Sequence, residues 1–199
     1  MSEITLTIDG NTVTARPGMT VFQAARAAGI AIPALCHDDR LEPYGACRLC
    51  CVEIGTAPKT RLVVSCVYPV ENGLQVSTQS ERVRFTRKVL LELLLARAPG
   101  AKVLKDLAQE YGAQADRFEK EAHFCIACGL CVRYCAEVKK ANAVSFISRG
   151  VTREIMFVPE IASQTCPSCQ ECFELCPTNV ARTNFLMAQA LTFAREGKK

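Results

Sequence analysis

The chain has 199 residues, of which 49% are hydrophobic and 22% are charged, and this composition excludes a disordered polypeptide. The basic residues behind the net charge of +4 are scattered along the sequence, so we expect no nucleic-acid partner. Thirteen cysteines stand beside two histidines. The first residues lack a signal-peptide pattern, so we expect a cytoplasmic protein without membrane insertion, whose cysteines bind metal in a reducing compartment.

The first third of the chain predicts a small sheet with one helix. Asp9-Gly10 is a hairpin signal between alternating segments. Thr20 and Gln23 form a capping-box pattern, which predicts a helix that runs to Ala28 and stops at Gly29. Short apolar segments complete the sheet. The predicted strands are residues 4–8, 12–15, 52–54, 62–64 and 74–76.

The cysteine-free segment between Cys66 and Cys125 predicts two helices. Its apolar residues recur at helical spacing, with an interruption at Pro99-Gly100 and an end at Gly112. We expect a packed helical linker domain.

The last part of the chain predicts a short hairpin and a C-terminal helix. Residues 144–147 and 155–158 alternate on either side of Arg149-Gly150. Residues 180–196 have alanine, leucine and phenylalanine on one helical face. The predicted domain boundaries are 1–80, 81–122, 123–180 and 181–199.

Two cysteine runs share the spacing Cys-x2-Cys-x2-Cys-x3-Cys, and Pro177 follows the second. This spacing is typical of bacterial ferredoxins, in which the fourth cysteine of each run binds the cluster of the other run. Structural zinc is the alternative, but it prefers two pairs of ligands for each site. The predicted ligands of one [4Fe–4S] cluster are Cys125, Cys128, Cys131 and Cys176, and those of the other are Cys166, Cys169, Cys172 and Cys135.

A less regular group of five cysteines lies near the N-terminus. Plant-type [2Fe–2S] ferredoxins combine a Cys-x2-Cys pair with a distant fourth cysteine, and this pattern is present here with a longer first gap. Gly45 and Gly55 suit a loop that brings backbone N–H groups close to sulfur. The predicted ligands of a [2Fe–2S] cluster are Cys36, Cys47, Cys50 and Cys66.

Three further residues near these motifs have open roles. We interpret Cys51 as a small buried apolar residue, with a ligand exchange with Cys50 as the alternative. His37 could replace Cys36 only in a site with two histidines near one iron, and His123 belongs to another segment. His123 is either a hydrogen-bond donor to a cluster sulfur or an ordinary surface or packing residue.

The order of these motifs resembles the small iron–sulfur subunit of bidirectional NAD-reducing hydrogenases. It is also similar to the N-terminal iron–sulfur module of the complex I large subunit and of [FeFe]-hydrogenases. The segments that carry the resemblance are Pro33–His37, Gly45–Cys50, Cys125–Arg133 and Ser148–Gly150.

The resemblance implies an α+β fold, with an N-terminal β-grasp [2Fe–2S] domain, a helical linker and a C-terminal two-[4Fe–4S] bacterial ferredoxin-like domain. Proteins of this kind usually hold a further cluster in the middle domain, bound by one histidine and three cysteines. Here Arg97 or a neighbour stands where that histidine is expected, and no cysteine follows before Cys125. We therefore expect this additional cluster to be absent.

These motifs predict a non-catalytic electron-transfer subunit, with one [2Fe–2S] and two [4Fe–4S] clusters and no catalytic residue. The sequence contains no dinucleotide fingerprint or P-loop, so we expect other chains to bind the flavin, the nucleotide and the substrate. The expected partners are a flavin- and NAD(H)-binding diaphorase-type subunit and a catalytic hydrogenase, formate dehydrogenase or other low-potential reductase. The alternatives are a redox sensor and a zinc-stabilised scaffold. A subunit of the succinate dehydrogenase type is less consistent with two matching four-cysteine runs.

Overall fold

The computed structural model describes residues 3–121 and 123–196, with side chains described as far as residue 190. These residues form two compact units. Unit 1 falls within Met1–His37, Pro43–Leu93 and Leu107–Gln114, and unit 2 within Asp38–Glu42, Leu94–Asp106 and Ala115–Lys199. Residues of the predicted helical linker belong to both units, and the division into four domains stays a prediction.

Unit 1 is built on a mixed sheet. In the described part of the unit, the five strands are β1 (Ile4–Ile8), β2 (Asn11–Ala15), β3 (Cys51–Thr56), β4 (Lys59–Val64) and β5 (Gln75–Ser77). Their order in the sheet is β2-β1-β5-β3-β4. β1 pairs antiparallel with β2 and parallel with β5, whereas β3 is antiparallel to β4 and β5.

One helix, α1 (Val21–Ala27), packs on this sheet through Val21, Ala24 and Ala25, which are fully buried. Its start shows the predicted capping box, in which Gln23 N donates to Thr20 Oγ1 and Thr20 N donates to Gln23 Oε1. The helix ends one residue earlier than predicted.

The predicted pair of helices after the sheet is confirmed. They are α2 (Glu81–Arg97) and α3 (Lys102–Tyr111), separated at Pro99-Gly100. Gly112 follows α3 with a left-handed φ of 64°, which ends the helix as its position predicts.

Unit 2 contains eight of the thirteen cysteines. Helix α4 (Leu130–Arg133) continues into a π-helical turn, Tyr134–Val138, and the predicted hairpin forms from β6 (Val144–Ile147) and β7 (Glu154–Phe157). The remaining helices are α5 (Pro159–Cys169), α6 (Glu171–Glu174) and α7 (Val180–Glu196), the last with the predicted bounds.

The core of unit 2 is aromatic. The rings of Phe157, Phe173 and Phe185 contact one another at centroid distances of 5.4 to 6.2 Å, which places β7, α6 and α7 around one apolar centre. Among the described residues, no helix is both long and apolar enough to cross a membrane.

Candidate metal centres

All thirteen cysteines are free thiols, and all but the half-buried Cys169 are buried. Free cysteine is often buried as a small apolar residue, so the grouping of the sulfur atoms is more informative here than their burial. Their distribution between the two units gives one group in unit 1 and two groups in unit 2.

In unit 1, Cys36 and Cys47 form one sulfur pair. Their Sγ atoms lie 3.4 Å apart, and Cys47 N donates to Cys36 Sγ at 3.3 Å. The hydrogen bond between the two side chains lowers the pKa of Cys36 to about 6 and raises the pKa of Cys47. A second backbone donor, Leu35 N, reaches Cys47 Sγ at 3.4 Å. The loop therefore supplies N–H groups to sulfur, an environment that stabilises negative charge.

Cys50 and Cys66 form the second sulfur pair of unit 1. The hydrogen bond from the Cys66 thiol lowers the pKa of Cys50 to about 7, whereas the same interaction raises the pKa of Cys66. Ser65 fixes this segment, because its hydroxyl donates to the Cys50 carbonyl at 2.6 Å. Two sulfur pairs fit a two-iron cluster, which needs two thiolates on each iron.

In unit 2, one cavity lies beside the first cysteine run. Its apolar lining comes from Ile126, Ile155 and Val180. Gly129 opens α4 with φ 81°, a left-handed conformation that suits glycine and turns the chain around the cavity. The cysteines that line the cavity are Cys125, Cys128, Cys131 and Cys176.

A second cavity lies in the same unit. Tyr134, Phe157 and Phe173 supply aromatic lining, and Ala143 N donates to Cys135 Sγ at 3.2 Å. The cysteines that line it are Cys135, Cys166, Cys169 and Cys172. Each cavity therefore brings together three cysteines of one run and the fourth of the other.

This arrangement fits a metal cluster chemically. Burial raises the pKa of Cys131 and of Cys172, so these thiols hold their protons until a cation compensates the thiolate charge. Within the described ranges, no group of three or more His, Cys, Asp or Glu side chains is arranged to hold a single metal ion. The assignment of individual cysteines as ligands stays a prediction.

The unassigned residues near the sulfur groups have defined places. Cys51 is the first residue of β3 and is 5% exposed, and burial raises its pKa. His37 packs its ring against Phe22 at 4.7 Å.

The expectation that Gly55 belongs to a loop near the sulfur atoms is wrong. Gly55 lies in the β3–β4 hairpin, where a Cβ would collide with the carbonyl oxygen of Lys59. Its role is therefore in strand pairing.

His123 lies between two carboxylates. Its imidazole nitrogens are 3.9 Å from Glu121 and 3.7 Å from Glu154. These contacts describe an ordinary packing residue with acidic neighbours, which is one of the two roles that the sequence left open.

Two arginines of α2 were missed as functional candidates. Arg97 donates to the carbonyl oxygens of Cys125, Val151 and Arg153, at 3.0, 2.9 and 3.0 Å. Arg87 is fully buried and donates to carbonyl oxygens next to Cys50. The helix holds four arginines, and no local pattern separates these two from Arg82 and Arg84, because the acceptors of Arg87 and Arg97 are distant in sequence.

Two family models match the chain. The "2Fe-2S iron-sulfur cluster binding domain" matches residues 1–81, and the "4Fe-4S dicluster domain" matches residues 124–180. The protein is thus an iron–sulfur protein with one [2Fe–2S] cluster and two [4Fe–4S] clusters. Both models describe iron–sulfur domains, which favours iron–sulfur clusters over the zinc alternative.

Known proteins with similar sequences are subunits of redox enzymes. The mitochondrial NADH-ubiquinone oxidoreductase 78 kDa subunit of Candida albicans is 32% identical over 78% of this chain and 25% of its own length. NADP-reducing hydrogenase subunit HndD of Solidesulfovibrio fructosivorans is 31% identical over 89% of this chain and 36% of its own length. The chain therefore spans about a quarter to a third of these relatives.

A solved structure matches more of its own length. A chain of the NAD+-reducing [NiFe]-hydrogenase, in the H2-reduced state, is 33% identical and has a TM-score of 0.68. The match covers 78% of this chain and 75% of the hydrogenase chain. The protein belongs to the family of iron–sulfur subunits that these NADH dehydrogenases and NAD(P)-linked hydrogenases share.

Proposed function

We propose that the protein is a non-catalytic electron-transfer subunit of a cytoplasmic multisubunit oxidoreductase. It would relay single electrons between a flavin- and NAD(H)-binding subunit and a hydrogenase, formate dehydrogenase or other low-potential reductase. The observation that supports this most directly is the grouping of twelve cysteines into three sets of four. Clusters bound at these sets would supply one-electron redox chemistry.

The protein residues around the proposed ligands suit this role. In each set, four thiolates are available, which would leave no open coordination position for a substrate. Aliphatic and aromatic side chains contribute much of the lining of the two cavities in unit 2. Backbone N–H groups, such as those of Ala127 and Ala143, donate to sulfur and stabilise its negative charge.

The proposed partners follow from chemistry that the sequence lacks and from its relatives. The sequence shows no glycine-rich dinucleotide fingerprint, whereas the names of the relatives include NADH, NADP and NAD+. We therefore assign nucleotide binding to a separate flavoprotein subunit. The proposal also includes the absence of the additional cluster, whose ligands would be one histidine and three cysteines. Arg97 was expected near the position of that histidine, and its guanidinium group donates to three carbonyl groups instead.

The first test is the metal content and redox chemistry of anaerobically purified protein. We expect about ten irons and a similar amount of acid-labile sulfide per chain. Reduction with dithionite should give the EPR signal of one [2Fe–2S] cluster and two interacting [4Fe–4S] signals. NADH alone should leave the clusters oxidised, and NADH with a flavin-containing diaphorase should reduce them.

Two outcomes would contradict the proposal. A content of about two irons, accompanied by zinc, would exclude a three-cluster electron relay. Direct reduction by NADH would show that the chain binds the nucleotide itself. The redox-sensor alternative would gain support if the reduced clusters could not pass electrons to an artificial acceptor whose reduction potential is well above that of the clusters.

A further inference from the structure

Arg87 is a charged side chain inside the core of unit 1. It lies on α2 and is 0% exposed, which makes it the largest fully buried side chain in the described structure. Arginine is almost never buried without a compensating partner, because removing its charge from water is costly. The surroundings of this side chain therefore need an explanation.

The guanidinium group is held by three hydrogen bonds. Nε donates to the Leu49 carbonyl at 3.0 Å, Nη2 to the Cys51 carbonyl at 2.8 Å, and Nη1 to the Tyr111 hydroxyl at 3.0 Å. All three acceptors are uncharged groups. They accept from each of the three guanidinium nitrogens, but they do not neutralise the positive charge.

The position of these acceptors places the guanidinium beside a proposed cluster ligand. Leu49 and Cys51 are the two neighbours of Cys50, so the guanidinium clamps the backbone on both sides of a proposed ligand. A cluster held by four thiolates is a net anion, and its reduction adds one further negative charge. An opposite charge in a low-dielectric interior stabilises the more negative state.

We propose that Arg87 is the buried counter-ion of the [2Fe–2S] cluster at Cys36, Cys47, Cys50 and Cys66. It is a positioning residue that fixes the backbone around Cys50, and its charge raises the reduction potential of the cluster. The inference rests on the ligand set given under the proposed function.

A purely structural role makes a different prediction. A structural Arg87 would contribute hydrogen bonds and packing, so its removal would lower stability without a specific effect on the potential. A counter-ion must affect the reduction potential of the cluster. A lysine at the same position would preserve the positive charge but lose the paired hydrogen bonds to the carbonyls of Leu49 and Cys51. The reduction potential therefore separates the two roles.

The test is an EPR-monitored redox titration of the [2Fe–2S] signal in the complete, cluster-loaded chain. Arg87→Met should make the reduction potential more negative. At a given applied potential, the ratio of oxidised to reduced cluster should rise at least tenfold, which corresponds to a shift of about 59 mV for one electron. Arg87→Lys should remain close to the wild-type potential. Val83→Ala, a neutral change at a buried position of the same helix, controls for lost packing and should leave the potential unchanged.

The outcomes are distinguishable. The counter-ion proposal would be overturned if the cluster-loaded Arg87→Met variant had an unchanged reduction potential. Equal shifts of the reduction potential in Arg87→Met and Arg87→Lys would also overturn it. If Arg87→Met does not load a cluster, Arg87→Lys decides: loading with the wild-type potential supports the charge, and failure to load overturns it. Absence of a [2Fe–2S] signal in the wild-type chain would instead contradict the proposed function.

Discussion

The Nε atom of Arg97 donates a hydrogen bond to the carbonyl oxygen of Cys125 at 3.0 Å. The other guanidinium nitrogens reach the carbonyls of Val151 and Arg153, and Glu121 lies 3.3 Å from Nη1. Arg97 thus connects the end of α2 by hydrogen bonds to two segments. One begins at Cys125, the first proposed ligand of a [4Fe–4S] cluster, and the other is the connection between β6 and β7.

Substitution of Arg97 by leucine should destabilise unit 2. Three carbonyl oxygens would lose their donor, and a lost hydrogen bond to a buried or partly buried group costs about 1–3 kcal/mol. We expect a loss of about 2 kcal/mol in the free energy of unfolding. Urea unfolding, followed by the visible absorbance of the clusters, would measure it.

Lys102→Ala is the matched control for Arg97→Leu. Lys102 also pairs with a carboxylate, that of Asp106, but its side chain is 88% exposed. Surface pairs of this kind contribute about 0–1 kcal/mol. Similar losses in the two variants would contradict the importance of the carbonyl contacts.

The sequence predicted those features that depend on neighbouring residues. The β1–β2 hairpin, the capping box of Thr20 and the break at Pro99-Gly100 all follow from local turn and capping chemistry. The spacing of the cysteine runs likewise led to the crossed sets that line the two cavities.

Features that depend on tertiary contacts could not be predicted. The hydrogen-bond acceptors of Arg87 lie 24 to 38 residues away in sequence, and the carbonyl acceptors of Arg97 lie 28 to 56 residues away. Helix α5 was also missed, because its sequence contains two prolines and no clear apolar periodicity. Gly55 was misassigned because the contact with Lys59 is made across a hairpin.

Thr20→Ala should destabilise unit 1 by about 1 kcal/mol, the usual cost of losing an N-cap side chain. The hydroxyl accepts from Gln23 N at 3.2 Å at the start of α1, so this N–H would lose its partner. Thermal unfolding would detect the change as a lower midpoint. Thr20→Ser should retain most of the stability, and an equally large loss in the serine variant would contradict the capping role.

The adjacent Cys50 and Cys51 should respond differently to substitution. Cys50 shares a hydrogen bond with Cys66, whereas Cys51 is the first residue of β3 and its carbonyl is bound by Arg87. Cys51→Ala should therefore preserve the EPR signal of the [2Fe–2S] cluster, and Cys50→Ala should abolish it. Loss of the signal in Cys51→Ala with retention in Cys50→Ala would establish the ligand exchange instead.

Cys135 and Cys176 test the crossed ligation of the two [4Fe–4S] clusters. Cys135 lines the cavity of Cys166, Cys169 and Cys172, although it belongs to the first run. Cys135→Ser should therefore impair the cluster of the second run, with a loss of up to about four irons, and leave the other [4Fe–4S] signal intact.

Cys176→Ser is the reciprocal variant. Its sulfur lines the cavity of Cys125, Cys128 and Cys131, so its substitution should impair the cluster of the first run. Each variant on its own should also remove the magnetic interaction between the two reduced clusters, because one paramagnet would be lost. EPR and Mössbauer spectra of both variants, each compared with the wild-type chain, distinguish the alternatives. If each serine damaged the cluster of its own run, the ligation would be uncrossed and the shared cavities would have no role in binding the fourth cysteine.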